Sequence, residues 1–250
     1  MARPATYLAP LSLIFLAGSI VLMFFIILSG MPSSPLRQTY FLRADTSGIT
    51  GARPITQWAY FYICGDGNRN CGGAKPDPPL GWAWDANPQN APSQLVGSYG
   101  RHTTSEYYYY MWRFGWVFYL IGLFFTVLAF FAGFIACCGR LGSAIASMTA
   151  LTALFFYTLA VSLMTAVFVK MRNAFVSSGR SASLGRYAFG FSWGAWAALF
   201  IATILFCIGI RGNKDKAASS GGRSWGRKKS VRSTRSYDMG SQRRVKDDYA

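Results

Sequence analysis

Four long apolar runs divide the chain, and each is long enough to cross a bilayer. They cover residues 7–30, 114–138, 143–169 and 187–210. A helix needs about 20 mostly apolar residues to span the hydrocarbon core, and a soluble fold has no way to bury four such runs. The pattern predicts an all-α membrane bundle with four transmembrane helices. Removal of the first run as a signal peptide is the alternative, although the run exceeds the usual apolar core of about 7–15 residues.

The polar segments between these runs alternate in length. A short N-terminus (1–6), a brief turn (139–142) and a tail (211–250) share one side of the membrane, whereas a long loop (31–113) and a shorter loop (170–186) share the other. Helices joined by so short a turn are antiparallel neighbours. Connections as long as the first loop are uncommon without structure of their own, so this loop is expected to fold as a small domain.

Aromatic and β-branched residues crowd the long loop ahead of its two cysteines. Segments 36–42 and 57–64 have the composition of strands, and a polar, Gly-containing turn separates Cys64 from Cys71. This arrangement predicts a disulfide-stapled β-turn with Trp58 packed over it in the domain core. Because disulfides persist in oxidising compartments, the loop with its two candidate strands should be a small extracellular domain. A metal or redox pair at the cysteines and a recognition role for Trp58 are the alternatives.

Positive charge is concentrated at the C-terminus. The chain has a formal net charge of +16, and 12 of its 25 Lys and Arg residues lie in 211–250. Cytoplasmic segments are enriched in Lys and Arg, so both termini are expected to be cytosolic. Four cations of the second loop act against this rule, namely Lys170, Arg172, Arg180 and Arg186. The cysteines favour the orientation with cytosolic termini over the opposite one, because it places the predicted disulfide outside the cytosol.

The tail is rich in Gly, Ser and Arg and has too few large apolar residues to fold alone, so it is expected to be disordered. Polybasic juxtamembrane segments bind anionic phospholipids and phosphoinositides, and phosphorylation releases them. The candidate lipid-binding residues are Arg223, Arg227, Lys228, Lys229, Arg232 and Arg235, and the candidate phosphorylation sites are Ser230, Ser233 and Ser236. A solvated tail whose charge only sets the topology is the alternative. Nucleic acid is not expected as a partner of this membrane protein.

Cys137 and Cys138 lie where the second apolar run ends, on the side predicted to be cytosolic. Juxtamembrane cysteines are candidates for S-palmitoylation, which would add acyl chains that favour particular lipid surroundings. A pair of free, partly buried thiols is the alternative interpretation.

The sequence carries no catalytic pattern. No nucleophile elbow, metal-spaced His/Cys set or phosphate-binding Gly-rich loop occurs in it. The four apolar runs also contain no Asp, Glu, Lys, Arg or His. Ionisable groups within the membrane mark proton and ion pathways, so their absence argues against a pump or a transporter. We therefore expect a protein without enzymatic activity, cofactor or metal.

Three features of the long loop carry a family resemblance: the run 41–49 (FLRADTSGI), the run 58–60 (WAY), and the Cys64/Cys71 pair. Within a four-span chain they resemble the fungal Sur/PalI family of eisosome-associated, claudin-like plasma-membrane proteins, over about residues 6–210. The resemblance implies a claudin-like fold in which the first loop forms a small antiparallel sheet over the bundle and the second loop adds an edge strand. The Gly-Leu-Trp of claudins is missing before the first cysteine, so no pore residues are carried over.

The resemblance also implies residence in furrow-like compartments of the plasma membrane. BAR-domain scaffold proteins, phosphoinositides and sterol are then the expected partners, with self-association as a further candidate. We expect a non-enzymatic protein that organises eisosome-type compartments and supports membrane domain structure, endocytosis control and cell-wall integrity. A PalI-type subunit of an ambient-pH sensing complex is the alternative within the family. A channel or transporter subunit is the alternative from another class.

Overall fold

The described residues include four helices that are long and apolar enough to cross a membrane. They are α1 (Ala5–Ile27), α3 (Glu106–Ala136), α4 (Arg140–Ser177) and α5 (Arg186–Ser220), while α2 (Tyr99–His102) is a single turn whose last three residues are left-handed. The structure is a computed structural model, which describes residues 5–31, 36–136 and 140–220, with side chains over 10–31, 36–134, 142 and 144–208. The prediction of a four-helix membrane bundle is confirmed.

Two of the helices extend past the apolar runs on the side of the loops. α3 begins at Glu106, upstream of the predicted start at 114, and α4 ends at Ser177, downstream of the predicted end at 169. α4 continues past residue 169 because buried residues recur at helical spacing beyond the apolar run: Met171 and Phe175, four positions apart, are both fully buried. Side chains four residues apart share one helix face. The second loop is therefore shorter than the hydropathy pattern predicts.

The other ends of the helices also differ from the predicted bounds. α4 begins at Arg140, within the predicted turn 139–142, and α5 continues to Ser220, past the predicted end at 210. The run 214–218 (KDKAA) consists mostly of good helix formers and contains no proline, which explains the continuation. The first ten positions of the predicted disordered tail are thus helical, whereas 221–250 lie outside the described residues.

Polar side chains link the helices by donating hydrogen bonds to the backbone carbonyls of their neighbours. Ser19 of α1 donates to Ala195 of α5 at 2.9 Å, and Tyr119 of α3 donates to Met23 of α1 at 3.2 Å. The hydroxyl of Tyr157 on α4 donates to a carbonyl of α5 at 3.1 Å. Such bonds satisfy hydroxyl groups that apolar surroundings would otherwise leave unpaired.

Small residues allow α3 and α4 to pack closely. A Cβ added at Gly122 of α3 would lie 3.1 Å from the Cβ of Tyr157 on α4. Several alanines of α4 are fully buried, namely Ala146, Ala150, Ala153 and Ala160. Large apolar side chains instead cover the outer surface of the bundle, as Phe124, Phe131 and Phe155 do. Inward small residues and outward large ones are the arrangement expected of helices in lipid.

A four-stranded antiparallel sheet packs against α4. Its strands follow the order β3-β2-β1-β4, and they are β1 (Leu42–Asp45), β2 (Ile55–Trp58), β3 (Ile63–Cys64) and β4 (Ala182–Leu184). β4 comes from the second loop and pairs with β1, with Leu184 opposite Leu42. The predicted small sheet and the edge strand from the second loop are confirmed. We refer to residues 36–105 together with β4 as the loop domain.

The predicted strand bounds are wrong in two places. Segment 36–42 begins with a 3₁₀ turn, Leu36–Gln38, and β1 starts only where the segment ends. Segment 57–64 divides into parts of β2 and β3 because it bends, with the Ala59 amide donating to the Tyr62 carbonyl at 2.9 Å. The bend aims Tyr60 at α3, where its hydroxyl donates to the carbonyl of Trp116 at 2.8 Å. Tertiary packing of this kind overrides strand propensity.

Gly185 lies between β4 and α5, against the first loop. A Cβ added here would overlap the carbonyl oxygen of Tyr40, and the Gly185 amide donates to the carbonyl of Phe41 at 3.0 Å. We expect Gly185→Ala to displace β4 from β1 and to lower the free energy of unfolding by about 1–3 kcal/mol. The thermal unfolding midpoint of the purified protein measures this change. Gly190→Ala is the matched control, since nothing lies within 4 Å of its added Cβ, and equal midpoints would contradict the prediction.

Candidate functional site

The disulfide turn, residues 64–71, lies at one edge of the sheet. Cys64 and Cys71 form a disulfide bond, which confirms the predicted pairing. Inside the turn, the Gly65 amide donates to the carbonyl of Arg69 at 2.8 Å, which closes a narrow hairpin. Because Cys64 ends β3, the bond fastens the turn directly to the sheet.

Asn68 holds the disulfide turn against the segment that precedes β1. Its φ is 50°, a left-handed conformation that asparagine tolerates better than most residues. The Asn68 amide donates to the side chain of Gln57 at 2.8 Å, and its Nδ2 donates to the carbonyl of Thr39 at 3.1 Å. The asparagine is only 4% exposed. The turn is therefore packed on the domain as a fixed element rather than projecting from it.

Two arginines that precede the disulfide turn in the chain bind to it. Arg43 donates from Nε to Asp66 Oδ1 at 2.9 Å, and Arg37 donates from Nε to the carbonyl of Gly67 at 3.2 Å. The hydrogen bond from Arg43 lowers the pKa of Asp66 below its ordinary value, so the pair stays charged at neutral pH. Exposed ion pairs contribute little to stability, so these contacts orient the turn more than they stabilise it.

Trp58 connects the sheet to α4. Its side chain is 1% exposed, and its indole N–H donates to the carbonyl of Leu80 at 2.9 Å. The indole ring packs on Phe175, near the end of α4, with ring centroids 5.9 Å apart, and it packs edge-on against Trp84 at 6.5 Å. Trp58 therefore lies in the core where the loop domain meets the bundle, and its ring is directed toward α4.

A second group of rings joins the loop domain to α3 and α4. Tyr60 stacks on Trp116 with centroids 5.5 Å apart, and Phe41 stacks on Phe168 at 4.9 Å, with Trp112 edge-on to Phe168. Burial raises the pKa of Tyr60 well above its ordinary value, so its phenol stays neutral. We call these rings, together with Trp58 and Phe175, the aromatic junction. Buried aromatic pairs of this type hold two elements in one relative orientation.

Asp77 ties the segment after the disulfide turn to α3. Its carboxylate forms an ion pair with Arg113, and its side chain is only 10% exposed. Burial raises the pKa of Asp77 above its ordinary value, although Arg113 opposes the shift. The other carboxylate oxygen, Oδ1, is buried without a hydrogen-bond partner among the described residues. Removing one member of such a pair leaves a partly desolvated charge behind. Both side chains are therefore needed to attach this segment to the bundle.

Arg180 fastens the second loop to the first, which the sequence did not reveal. Its guanidinium donates to the carbonyl of Ser47 at 2.6 Å and to the carbonyl of Asn90 at 3.0 Å. Ser47 belongs to the stretch on which the family resemblance depends. There its amide donates to the carboxylate of Asp45 at 2.9 Å, and hydrogen bonds from Ser47 lower the pKa of Asp45. The positive charge was visible in the sequence, but its carbonyl partners lie too far along the chain to be predicted.

The family model described as "SUR7/PalI family" matches residues 8–205. This chain belongs to the SUR7/PalI family. The matched range runs from α1 through the disulfide turn and the aromatic junction into α5, and it ends before the tail. Membership confirms the resemblance seen in the sequence. Its four apolar helices, and one relative named as a plasma membrane protein, fit a multi-pass protein of the plasma membrane.

Relatives of this SUR7/PalI-family protein come from two yeasts. SUR7 family protein FMP45 of Saccharomyces cerevisiae is 37% identical over 206 residues, which cover 76% of this chain and 65% of that protein. Protein SUR7 of Candida albicans is 33% identical over 216 residues, covering 82% of this chain and 75% of the relative. The uncharacterized plasma membrane protein YNL194C of S. cerevisiae is 32% identical over 214 residues, covering 82% and 68%. The chain thus spans about two thirds to three quarters of the length of these relatives.

Several predicted sites of this SUR7/PalI-family protein lie outside the described residues. They are the candidate acylation sites Cys137 and Cys138, the candidate lipid-binding residues Arg223, Arg227, Lys228, Lys229, Arg232 and Arg235, and the candidate phosphorylation sites Ser230, Ser233 and Ser236. These assignments stay predictions. Within the described residues, the disulfide and Trp58 lie on the loop domain, and Arg180 binds this domain from the second loop.

Proposed function

We propose that this protein is a non-enzymatic organiser of furrow-like, eisosome-type compartments of the plasma membrane. In this role it supports membrane domain structure, control of endocytosis and cell-wall integrity. The observation that carries the proposal is the rigid attachment of the loop domain to the bundle through the aromatic junction and β4. A bundle without ionisable residues in its four apolar runs lacks the usual mark of an ion pathway, so a scaffolding role suits it better than transport.

The proposed orientation has the loop domain outside the cell and both termini in the cytosol. The Cys64–Cys71 disulfide supports this orientation, because such bonds persist in oxidising compartments. The basic tail supports it through the positive-inside rule. Two cations of the second loop, which act against the positive-inside rule in this orientation, make specific hydrogen bonds. Arg180 donates to two backbone carbonyls, and Lys170 donates from Nζ to the hydroxyl of Tyr107 at 2.6 Å.

The proposed partners on the cytosolic side are anionic lipids, phosphoinositides and BAR-domain scaffold proteins. The tail supplies the positive charge that such lipids attract, at about 1 kcal/mol per Lys or Arg near the surface. Sterol and further copies of the chain are additional proposed partners. Acylation of the adjacent cysteines, Cys137 and Cys138, would strengthen residence in one lipid environment.

Imaging of a tagged full-length chain beside a BAR-domain scaffold marker tests the compartment proposal. We expect stable patches that coincide with the marker and that fade when residues 211–250 are deleted. A diffuse signal that is indifferent to the tail would overturn the proposal. If that outcome is accompanied by a lost response to alkaline medium, it favours the PalI-type signalling subunit instead.

Tail binding to lipid can be measured on the full chain in nanodiscs. Phosphatidylserine discs are expected to slow tryptic cleavage of the tail by about tenfold relative to phosphatidylcholine discs, because the basic residues are held at the surface. The phosphomimetic variant Ser230→Glu/Ser233→Glu/Ser236→Glu should abolish this protection, since added negative charge repels the lipid. The matched alanine variant at the same three positions should keep it. Equal cleavage in both lipids would contradict the lipid-binding role.

A further inference from the structure

The loop domain contains a pocket that no part of the proposed function uses. Its volume is about 380 Å³, within the range of about 300–1,000 Å³ typical of small-molecule sites. Two indole rings, the phenyl ring of Phe61, three cationic side chains and one carboxylate line it, together with smaller residues. We call it the Trp82 pocket, and its chemically distinctive residues are Arg53, Lys75, Trp82, Trp84, Asp85 and Arg101.

The two indole rings of the Trp82 pocket are held in place by backbone carbonyls. The indole N–H of Trp82 donates to the carbonyl of Gly100 at 3.0 Å, and that of Trp84 donates to the carbonyl of Thr103 at 3.0 Å. Trp84 is 5% exposed, whereas Trp82 is only partly buried. The pocket therefore has one ring in its wall and a second ring that remains accessible from solvent.

The segment that holds these rings has an unusual backbone. Gly100, Arg101 and His102 have φ values of 59°, 64° and 61°, so three consecutive residues are left-handed. Non-glycine residues adopt this region rarely, and runs of it persist only where surrounding contacts enforce them. One such contact is the Asn87 amide, which donates to the carbonyl of His102 at 2.9 Å. Strain of this kind clusters at binding sites, where it fixes side chains in advance of the ligand.

The charges of the Trp82 pocket favour an anion. Lys75 Nζ lies 4.5 Å from the centroid of the Trp82 ring, and the guanidinium carbon of Arg101 lies 5.8 Å from it. Arg53 lines the same pocket and donates one N–H to a backbone carbonyl, that of Ile63, at 3.1 Å. Within the part of the chain that the structure describes, none of these three cations forms an ion pair. Three cations against the single exposed carboxylate of Asp85 leave net positive charge at the opening.

We infer that the Trp82 pocket binds an acidic saccharide, a sugar that carries a phosphate or a carboxylate group. The cations would bind the acidic group through charge-assisted hydrogen bonds, the C–H face of the sugar ring would stack on indole, and Asp85 would accept hydrogen bonds from hydroxyls. The inference rests on the proposed extracellular orientation, where saccharides are encountered, and it does not depend on compartment organisation. Its test uses purified protein, so failure of binding and failure of the compartment proposal are distinguishable.

Calorimetric titration of the full chain in phosphatidylcholine nanodiscs tests this inference. Nanodiscs are preferable to glycoside detergents, which would themselves supply a sugar. Mannose 6-phosphate is the probe, and mannose and inorganic phosphate are the comparison ligands. We expect mannose 6-phosphate to bind at least tenfold more tightly than either comparison ligand and to bind more weakly as salt is raised. If inorganic phosphate binds as tightly as mannose 6-phosphate, the site recognises only the anion. If mannose binds as tightly as mannose 6-phosphate, the cations do not contribute to binding. Either result overturns the inference.

Charge-matched variants locate the binding. Lys75→Ala/Arg101→Gln removes two cations of the Trp82 pocket and should weaken binding at least tenfold. Arg69→Ala/Arg172→Gln removes two exposed cations that do not line the pocket and should leave the affinity unchanged. Thermal unfolding midpoints verify that both double variants are folded. If Lys75→Ala/Arg101→Gln does not fold, the single variant Lys75→Gln replaces it in the test. Equal losses in the two double variants, or none in either, would contradict the assignment. Competition from phosphatidylserine added to the discs would assign the pocket to a lipid headgroup instead.

Discussion

Replacing both cysteines of the disulfide turn, as Cys64→Ala/Cys71→Ala, is expected to lower the free energy of opening the loop domain by about 2–3 kcal/mol. Closing a short loop removes conformational entropy from the unfolded chain, which in the chain-entropy model is worth about 2.5 kcal/mol for a loop of this length. The turn would also release Asn68, whose hydrogen bonds depend on its left-handed conformation. Native-state proteolysis reports this opening, and cleavage within the loop domain should accelerate by about 50-fold.

The control for the disulfide prediction is Cys207→Ala, which removes an exposed free thiol on α5. This variant should be cleaved at the wild-type rate. Added reductant should change its cleavage rate by the same factor as it changes that of wild type. Wild-type protein in reductant should resemble the double alanine variant. A double variant as resistant as wild type would show that the packing of the turn, and not the covalent bond, holds it in place.

Trp58→Ala is expected to have the largest effect of any single substitution in the aromatic junction. Large-to-small replacement of a fully buried tryptophan typically costs about 3–5 kcal/mol, and here it also leaves the Leu80 carbonyl without its indole donor. The ring lies between the sheet and Phe175, so its loss should loosen the loop domain from α4. Thermal unfolding should show a lower midpoint, and proteolysis should show earlier cleavage in the loop domain than in the helices.

Two variants bracket the Trp58 prediction. Trp58→Phe keeps an aromatic ring but lacks the indole N–H, so it should fall between wild type and Trp58→Ala. Trp193→Ala removes a tryptophan that is 41% exposed on α5 and should leave the loop domain as resistant as wild type. If Trp193→Ala proves as damaging as Trp58→Ala, the effect belongs to tryptophan loss in general and not to the junction.

The membrane spans and the disulfide were predictable because each depends on a short stretch of sequence. An uninterrupted apolar run of bilayer length has few alternatives to a spanning helix, and two cysteines across a polar turn in a loop predicted to be extracellular have few alternatives to a bond. The family resemblance added the sheet over the bundle and the edge strand from the second loop. Neither of those follows from the composition of the loops.

The strand bounds and the contacts between loops were not predictable, because they depend on residues far apart in the chain. The bend after β2 exists because Tyr60 reaches Trp116 on α3, and local propensity carries no information on that contact. Arg180 was counted only as a charge against the predicted orientation, although it binds the carbonyls of Ser47 and Asn90. The Trp82 pocket is assembled from four separate segments of the first loop, so no single stretch marks it.

The pairing of β1 with β4 has a consequence for biosynthesis. β1 is translated long before β4, and two complete membrane helices, α3 and α4, are made between them. Until residues 182–184 have been made and returned to the same face of the membrane, one edge of β1 lacks its strand partner. Unpaired strand edges invite association with other chains. The nascent protein is therefore protected against edge-to-edge association only once β4, which directly precedes α5 in the chain, has reached that face. A strand made late in synthesis thus completes the folding of a domain made mostly of much earlier residues.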